Sequence, residues 1–197
     1  MKIAVDIDEV LFEFVEGYLK FVASEGHKNL SYDDIYSYEL CNPLGITQGE
    51  AIDLAGGFYK SEHFDFGNIV EGAQEAIKEL KNQEHELFFI TSRPLSWKPK
   101  TFEFLKQEFS IDSDKVFFAG DFHKGQGKTK EKICEGLGIN LIIDDRGDYG
   151  LNYAGHGIRV LMPDKPWNQN VFHENITRCE DWYEILEKIK EIENEKK

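Results

Sequence analysis

The stretch KIAVDIDEV at residues 2–10 places a short apolar run directly before two aspartates, Asp6 and Asp8. Further apolar runs end just as abruptly, in a polar residue, a glycine or a proline: LFFI at 87–90, VFFA at 116–119, LII at 141–143 and RVLM at 159–162. Continuous apolar runs of this length are typical of parallel strands that are buried on both faces. The sequence therefore predicts a parallel sheet whose first strand delivers Asp6 to its edge.

Amphipathic helical patterns lie between these runs, with apolar residues three or four positions apart. They cover residues 72–83, 98–109, 129–137 and 181–192. Strands that alternate with helices imply right-handed crossover connections and helices on both faces of the sheet. The predicted fold class is α/β, with a Rossmann-like, three-layer α/β/α core.

One part of the chain breaks this alternation. From about residue 15 to residue 67 the sequence shows helical segments, at 15–24 and 49–55, and aromatic-rich connections, but no clear strand. Because this part follows the first strand directly, we expect a small helical cap over the carboxyl edge of the sheet. The predicted organisation is a core domain of residues 1–14 and 68–197, with a cap of residues 15–67.

The chain of 197 residues carries 23 Lys and Arg against 37 Asp and Glu, a formal net charge of −14 at pH 7. Such a field repels polyanions, so we expect no duplex nucleic acid as a partner. No stretch reaches the roughly 18 apolar residues of a membrane span, and the first residues lack a signal-peptide pattern. Cys41, Cys134 and Cys179 form no CxxC pair, which is typical of reduced thiols. We therefore expect a cytoplasmic protein without a membrane partner, while its oligomeric state is not indicated.

Polar residues follow three of the predicted strands, at the edge where the carboxyl ends of parallel strands meet. They are Asp6 and Asp8 after the first strand, Thr91, Ser92 and Arg93 after the second, and Asp144 and Asp145 after the fourth. Four carboxylates in one crevice repel one another strongly unless a cation neutralises them. A cluster of oxygen ligands with room for water and phosphate favours Mg²⁺. The sequence therefore predicts a magnesium site at this edge.

A pair of carboxylates two residues apart suits phosphoryl transfer beside such a cation. One carboxylate can attack phosphorus and form an aspartyl phosphate, and the second can protonate the leaving oxygen. Thr91, Ser92 and Arg93, together with one lysine, are candidates for binding the phosphoryl oxygens as their charge develops. Because three strand ends contribute in this order, we expect a site that transfers phosphoryl groups.

Three motifs resemble those of the haloacid dehalogenase (HAD) superfamily of phosphohydrolases, over residues 1–14 and about 68–197. The motif DxDx[TV] stands as Asp6-Ile7-Asp8-Glu9-Val10, the Thr or Ser motif as FFITSRP with Thr91, and the paired acids as LIIDDRGDYG with Asp144 and Asp145. The resemblance implies that Asp6 is the nucleophile and Asp8 the general acid and base. It also implies Mg²⁺ bound by Asp6, by the backbone carbonyl of Asp8 and by the acid pair, of which either member can be the direct ligand. Glu9 departs from the glycine that is commoner at its position.

The remaining motif of that superfamily is a lysine. KEKICEGLGINLIIDD at 130–145 has the pattern of a lysine that opens the helix before the last acidic strand, which favours Lys130. Lys128 and Lys132 stay open as alternatives, and the two lysines that do not reach the site are expected to be solvated. Arg146 is expected to brace the acid pair by an ion pair, and Trp167 to pack near loops.

The opening DIDEVLFEFVEGYLKF at 6–21 resembles that of the 5′(3′)-deoxyribonucleotidase family. In that family an aromatic residue eight positions after the nucleophile stacks on the nucleobase, and Phe14 holds that position here. Packing of the cap onto the core is the alternative role for this ring. Base–aromatic stacking contributes roughly 1–3 kcal/mol, and four more cap aromatics are candidates to enclose a flat substrate: Tyr36, Tyr38, Phe58 and Tyr59.

The expected function is Mg²⁺-dependent hydrolysis of a small phosphate monoester, with a nucleoside or deoxynucleoside monophosphate as the favoured substrate. A phosphatase of sugar phosphates or other small metabolites shares the core residues and stays open as the alternative. A hydrolase of carbon–halogen bonds is disfavoured by Asp8, which that chemistry does not need. A non-catalytic binding module is disfavoured by the intact acids at the matched motifs. The sequence does not indicate the base, the sugar or the position of the phosphate.

Overall fold

The computed structural model describes residues 1–64, 68–120 and 127–195. Its centre is a six-stranded parallel sheet with the strand order β3-β2-β1-β4-β5-β6. The strands are β1 (Lys2–Val5), β2 (Glu86–Thr91), β3 (Val116–Phe118), β4 (Leu141–Ile143), β5 (Arg159–Pro163) and β6 (Ile176–Cys179). The predicted α/β fold with a parallel sheet is confirmed.

Helices cover both faces of this sheet. The α-helices of the described residues are α1 (Phe14–Ser24), α2 (Cys41–Leu44), α3 (Gln48–Phe58), α4 (Ala73–Asn82), α5 (Lys98–Phe109), α6 (Lys130–Leu137), α7 (Gly147–Gly155) and α8 (Trp182–Asn194). Helices α4, α5 and α8 contribute to the apolar cluster on one face, and α6 and α7 to the cluster on the other. The four helices predicted in the core correspond to α4, α5, α6 and α8.

The central strand β1 shows why continuous apolar runs predicted this sheet. Ile3 and Val5 pack into the cluster on one face, whereas Ala4 packs into the cluster on the other, and all three are fully buried. Side chains of a strand alternate between the faces, so a strand covered on both sides needs an apolar residue at every position.

Two elements of the core were not predicted, β6 and α7. Strand β6 lies at the edge of the sheet and reads ITRC, so polar residues interrupt its apolar run. Helix α7 contains three glycines in the segment GDYGLNYAG. In a helix interior, glycine is about 1 kcal/mol less favourable than alanine. One of the three glycines, Gly150, leaves room for the side chain of Met162 to pack directly against the helix. Packing therefore overrides local propensity in both elements.

Helices α1, α2 and α3 occupy the part of the chain that was predicted as a cap. The described residues from 15 to 64 contain no strand. Thr47 begins α3 with a capping box, in which its hydroxyl accepts from the backbone N–H of Glu50 and the Glu50 carboxylate accepts from the backbone N–H of Thr47. The predicted cap boundary at residue 67 lies outside the described residues, and the division into core and cap stays a prediction. Within the described ranges, no helix combines the length and apolar composition that crossing a membrane requires.

Candidate active site

Three aspartates meet at the carboxyl edge of the sheet. Asp6 follows β1, while Asp144 and Asp145 follow the neighbouring strand β4. The backbone N–H of Asp6 donates to the backbone carbonyl of Ile143, the last residue of β4, at 2.9 Å. One carboxylate oxygen from each of the three aspartates lies within 4.8 Å of the others. All three side chains are buried, with Asp144 fully enclosed. The register between β1 and β4 thus builds a compact group of carboxylate oxygens.

A single buried ammonium group lies among these carboxylates. Lys130 opens α6 and is only 2% exposed, and its Nζ lies 2.8 Å from Oδ2 of Asp6 and 2.9 Å from Oδ2 of Asp144. Lys128 and Lys132, the two alternatives from the sequence, are exposed. The structure therefore places the favoured lysine, and neither alternative, against the acid cluster.

The charges of this cluster are unbalanced, since one lysine faces three carboxyl groups. Burial raises the pKa of Asp6 to about 7, with the negative charges of Asp144 and Asp8 adding to the effect and Lys130 opposing it. Burial likewise raises the pKa of Asp145 well above its usual range, reinforced by Asp144 and Asp6. Although burial by itself lowers the pKa of Lys130, the charges of Asp144 and Asp6 raise it above its ordinary value. A further cation at this place would relieve the remaining repulsion.

Asp144 is held by neutral donors in addition to Lys130. The Tyr153 hydroxyl donates to Oδ2 at 2.9 Å, and the backbone N–H of Arg146 donates to Oδ1 at 3.0 Å. Tyr153 lies on α7 and is fully buried. These bonds fix the orientation of the carboxylate, so Asp144 presents a defined face to the cluster.

The side chain of Arg146 does not brace the acid pair, so that expectation was wrong. Its guanidinium pairs with Asp148 at 2.6 and 2.9 Å, and it lies between the rings of Tyr38 and Tyr149, 4.0 and 4.2 Å from their centroids. Two residues of α7, and Tyr38 from the connection before α2, thus hold the guanidinium away from the acids, while the backbone N–H of Arg146 contacts Asp144.

Trp167 contacts the site, a role that the sequence did not predict. Its indole N–H donates to Oδ2 of Asp145 at 2.8 Å, and the Asn168 amide donates to the backbone carbonyl of Asp145 at 2.8 Å. Both residues lie in a short 3₁₀ turn, Pro166–Asn168, shortly after β5. The available signal was topological, because the segment after the fifth parallel strand reaches the same edge of the sheet as the acids.

Asp8 lies beside the acid cluster and has an ion-pair partner of its own. Its carboxylate accepts from Nε of Arg93 at 3.1 and 3.0 Å and from Nη2 at 2.7 Å. The Asp8 side chain is 24% exposed, whereas the Arg93 side chain is 1% exposed. Asp8 therefore faces the open side of the site with Arg93 behind it.

The two predicted phosphate-binding hydroxyls lie at the end of β2. Thr91 is fully buried, and its Oγ1 accepts from the backbone N–H of Arg93 at 3.0 Å. Ser92 is exposed, and its hydroxyl lies 3.4 Å from that of Tyr149. Because β1 and β2 are neighbours in the sheet, these hydroxyls reach the same edge as Asp6. Their role in binding phosphate stays a prediction.

A cavity of about 210 Å³ adjoins Asp8 and Asp145. Its walls are mainly apolar and come from α1, α3 and the connection between them, including Phe14, Tyr18 and Leu40. The half-buried Phe14 ring stacks on Tyr18 with a centroid separation of 5.6 Å and meets the edge of Phe58 at 5.3 Å. Phe14 thus both lines the cavity and packs against neighbouring aromatic rings. Its role in stacking on a base stays a prediction.

A solved structure with bound phosphate shares this architecture. The crystal structure of a HAD family hydrolase from Deinococcus radiodurans R1, with bound phosphate and sodium, matches with a TM-score of 0.63 at 14% sequence identity. The match covers 96% of this chain and 95% of that one. The chain has the haloacid dehalogenase fold. The resemblance that the sequence motifs indicated is confirmed at the level of the fold.

Sequence relatives extend over nearly the whole chain at low identity. A Bacillus cereus protein that is provisionally named a nucleotidase is 25% identical over 196 residues, covering 96% of this chain and 98% of that protein. A nucleotidase of Clostridium acetobutylicum is 28% identical over 170 residues, covering 78% of this chain and 85% of its own. No protein-family model matches the chain.

Glu9 occupies the position at which the HAD motif more commonly has glycine, and it adopts a glycine-like backbone with φ of 61°. Its buried carboxylate accepts from the backbone N–H of Val15 at 2.7 Å and from the Tyr32 hydroxyl at 2.7 Å, and it lies 3.3 Å from Nζ of Lys165. A left-handed conformation is unfavourable for a side chain of this size. The three contacts offset that cost and tie the start of α1 to the segment after β5.

The donor set of this site fits a hard divalent cation. One carboxylate oxygen each from Asp6, Asp144 and Asp145 could bind the same ion, since these oxygens lie within 4.8 Å of one another. Among the described residues, no cysteine or histidine belongs to this group, and oxygen ligands alone favour a hard cation. Burial, reinforced by the neighbouring carboxylates, raises the pKa of Asp6 and of Asp145, so a bound cation would favour the ionised forms that bind it. A Mg²⁺ ligand from the backbone carbonyl of Asp8 stays a prediction.

Proposed function

We propose that this protein is a Mg²⁺-dependent phosphomonoester hydrolase that dephosphorylates nucleoside or deoxynucleoside monophosphates. Relatives named as nucleotidases and the fold shared with a phosphate-bound hydrolase support a phosphatase-type hydrolase. The observation that carries the proposal is the convergence of Asp6, Asp144 and Asp145, with Lys130 bound to the first two and Asp8 in the wall of an adjoining cavity. This arrangement supplies a nucleophile, a cation site and a proton donor within one crevice.

Asp6 is the proposed nucleophile. Its carboxylate attacks phosphorus to form an aspartyl phosphate while the bond from phosphorus to the leaving oxygen breaks, and water then hydrolyses the intermediate. Lys130 favours the carboxylate form of Asp6, against the burial that favours protonation. Asp8 donates a proton to the leaving oxygen and afterwards accepts one from the attacking water.

Mg²⁺ would be held by Asp6, Asp144 and Asp145, with the Asp8 carbonyl, and would neutralise charge on the phosphoryl oxygens. Lys130 and the hydroxyls of Thr91 and Ser92 are proposed to bind those oxygens as charge develops. Trp167 and Tyr153 orient the acid pair by their hydrogen bonds.

The nucleoside is proposed to occupy the cavity beside Phe14. The apolar walls and the exposed part of this ring suit a flat base, and the low-identity relatives named as nucleotidases favour this substrate class. A sugar phosphate shares every core group and differs only in what fills this cavity. We also propose a cytoplasmic location, based on the three unpaired cysteines, with neither duplex nucleic acid nor a membrane as partner.

Phosphate release from a panel of nucleoside, deoxynucleoside and sugar monophosphates tests the proposal, with Mg²⁺ or with EDTA. We expect nucleotides to lead, EDTA to abolish release, and Asp6→Asn to be inactive while retaining the wild-type circular dichroism spectrum. Phe14→Ala is expected to raise KM for nucleotides and to leave KM for a small alkyl phosphate unchanged, because such a substrate has no flat ring to stack on Phe14. If sugar phosphates lead and Phe14→Ala has no effect, the nucleotide assignment is wrong and the core chemistry stands. If no phosphate ester is hydrolysed with Mg²⁺, the protein is a binding module.

A further inference from the structure

Two of the three nitrogens of the Arg93 guanidinium, Nε and Nη2, donate to the carboxylate of Asp8. Nε lies 3.1 and 3.0 Å from the two carboxylate oxygens, and Nη2 lies 2.7 Å from Oδ1. This is the side-on, bidentate geometry in which arginine fixes both the position and the plane of a carboxylate. Asp8 thus has a defined orientation before any substrate arrives.

The surroundings of Arg93 keep it in that place. Its side chain is 1% exposed, and the guanidinium carbon lies 5.2, 5.8 and 5.9 Å from the ring centroids of Phe12, Phe64 and Phe104. The remaining terminal nitrogen, Nη1, lies 3.4 Å from the Thr101 hydroxyl. A guanidinium enclosed by three rings could reach a phosphate at the strand ends only by breaking its bonds to Asp8. Leaving a buried guanidinium without its partner is costly.

Asp8, which Arg93 orients, also contributes to the wall of the cavity that adjoins the site. From these contacts we infer that Arg93 is the positioning residue of Asp8, and that it does not bind the phosphoryl group as its place in the sequence motif predicted. The inference rests on the proposed function, since it assigns Arg93 a part in the departure of the leaving group.

The contacts between Arg93 and Asp8 bear on the proton transfer to the leaving oxygen. When the bond between phosphorus and the leaving oxygen breaks, the electron pair goes to that oxygen and the proton comes from the carboxyl group of Asp8. Asp8 becomes a carboxylate in the same step, next to a guanidinium that is already in place and needs no reorganisation. Arg93 therefore assists leaving groups that need a proton and does little for those that do not.

The dependence on the leaving group separates this role from phosphate binding. We would measure kcat/KM with p-nitrophenyl phosphate, whose phenolate leaves without protonation, and with an alkyl phosphate, whose alkoxide needs a proton. In Arg93→Gln the ratio of alkyl to nitrophenyl kcat/KM is expected to fall at least about 10-fold, with partial recovery in Arg93→Lys. The inhibition constant of inorganic phosphate is expected to stay within about 2-fold of wild type, because only a phosphate ligand would alter it strongly.

Two features protect the test against loss of folded protein. Both substrates are measured on one sample, so the fraction of active enzyme cancels in the ratio, and Arg93→Lys retains a cation if Arg93→Gln fails to fold. In an Asp8→Asn background, Arg93→Gln is expected to change the ratio no further, because the two residues act as one unit. Arg159→Gln is the matched control and should keep the wild-type ratio, because Arg159 begins β5, at the end of the strands opposite the site, and pairs with Glu195.

Three results would contradict the inference or the function on which it rests. If Arg93→Gln lowers kcat/KM equally for both substrates and weakens inhibition by inorganic phosphate, Arg93 is a phosphate ligand and the inference is wrong. Failure of the wild-type protein to hydrolyse any phosphate ester would instead overturn the proposed function. An active wild type with an unaltered ratio in Arg93→Gln overturns the role of Arg93 alone.

Discussion

Replacing Lys130 by methionine tests whether the acid cluster is charged and held together by this one ammonium. The substitution keeps a long side chain in a site where Lys130 is 2% exposed, and it removes the contacts at 2.8 Å to Asp6 and 2.9 Å to Asp144. Breaking a buried ion pair by deleting one partner costs about 3–5 kcal/mol, because the other charge stays buried without compensation. For a chain of this size the loss corresponds to a fall in Tm of about 6–20 °C.

The assay is urea unfolding, followed by circular dichroism in EDTA at pH 7.5. Lys132→Met is the matched control, since it lies on the same helix with an exposed side chain, and its effect should stay within about 0.5 kcal/mol. Lowering the pH to 5 should shrink the deficit of Lys130→Met, because protonated carboxyl groups no longer need the ammonium. Adding Mg²⁺ should recover part of the lost stability, because a bound cation neutralises the same oxygens.

A deficit below about 1 kcal/mol at pH 7.5 would refute this reasoning. The carboxyl groups would then be neutral at that pH without Lys130, and the buried ion pairs would contribute little. An equal deficit at pH 5 and pH 7.5 would instead point to lost packing around the lysine stem rather than to charge.

Three further predictions concern metal-free stability and the residues around the acids. Folding raises the pKa of Asp6 from 3.8 to about 7, so the folded state binds more protons than the unfolded state between these pH values. The free energy of unfolding in EDTA should therefore fall as the pH rises from about 4 to 7. Asp6 contributes at most about 1.4 kcal/mol per pH unit to this fall. Asp6→Asn should flatten that slope in denaturation measured across the range, and an unchanged slope would assign it to other groups. Trp167→Phe should weaken Mg²⁺ binding by about 10-fold in calorimetry, through its lost bond to Asp145, with unchanged affinity contradicting this role. Glu9→Gly suits the backbone but deletes three contacts, so limited proteolysis should cut the segment around α1 faster than in wild type; equal cutting would show that Glu9 does not fasten it.

The sequence was sufficient to place the acids because the sheet is simple. Each buried strand is a continuous apolar run that stops where a polar residue emerges, so Asp6 and Asp144 could be assigned to one edge without a structure. The favoured lysine followed from the resemblance to the HAD motifs, in which a lysine opens the helix before the last acidic strand. Of the three candidate lysines, Lys130 is the one that reaches Asp6 and Asp144.

Side-chain direction and distant contacts were beyond the reach of the sequence. Nothing local distinguishes an Arg93 that points toward a phosphate from one that turns back to Asp8, because the choice depends on the aromatic rings that enclose it. The partner of Glu9 across the chain, Lys165, lies 156 residues away, and the Trp167 indole reaches Asp145 only because β5 neighbours β4. Such pairs are products of tertiary packing, which no short-range pattern encodes.

The central position of β1 has a consequence for the nascent chain. On the ribosome Val5 is synthesised long before Leu141, yet β1 is complete only when β4 has paired along its second side. Pairings between segments so distant in sequence form slowly, and an incomplete sheet exposes an apolar strand to aggregation. The acid cluster therefore forms late in folding, because Asp6 follows β1 and Asp144 follows β4. If the protein is synthesised in vitro with a phosphate ester present, hydrolysis of that ester should begin only after β4 has paired with β1.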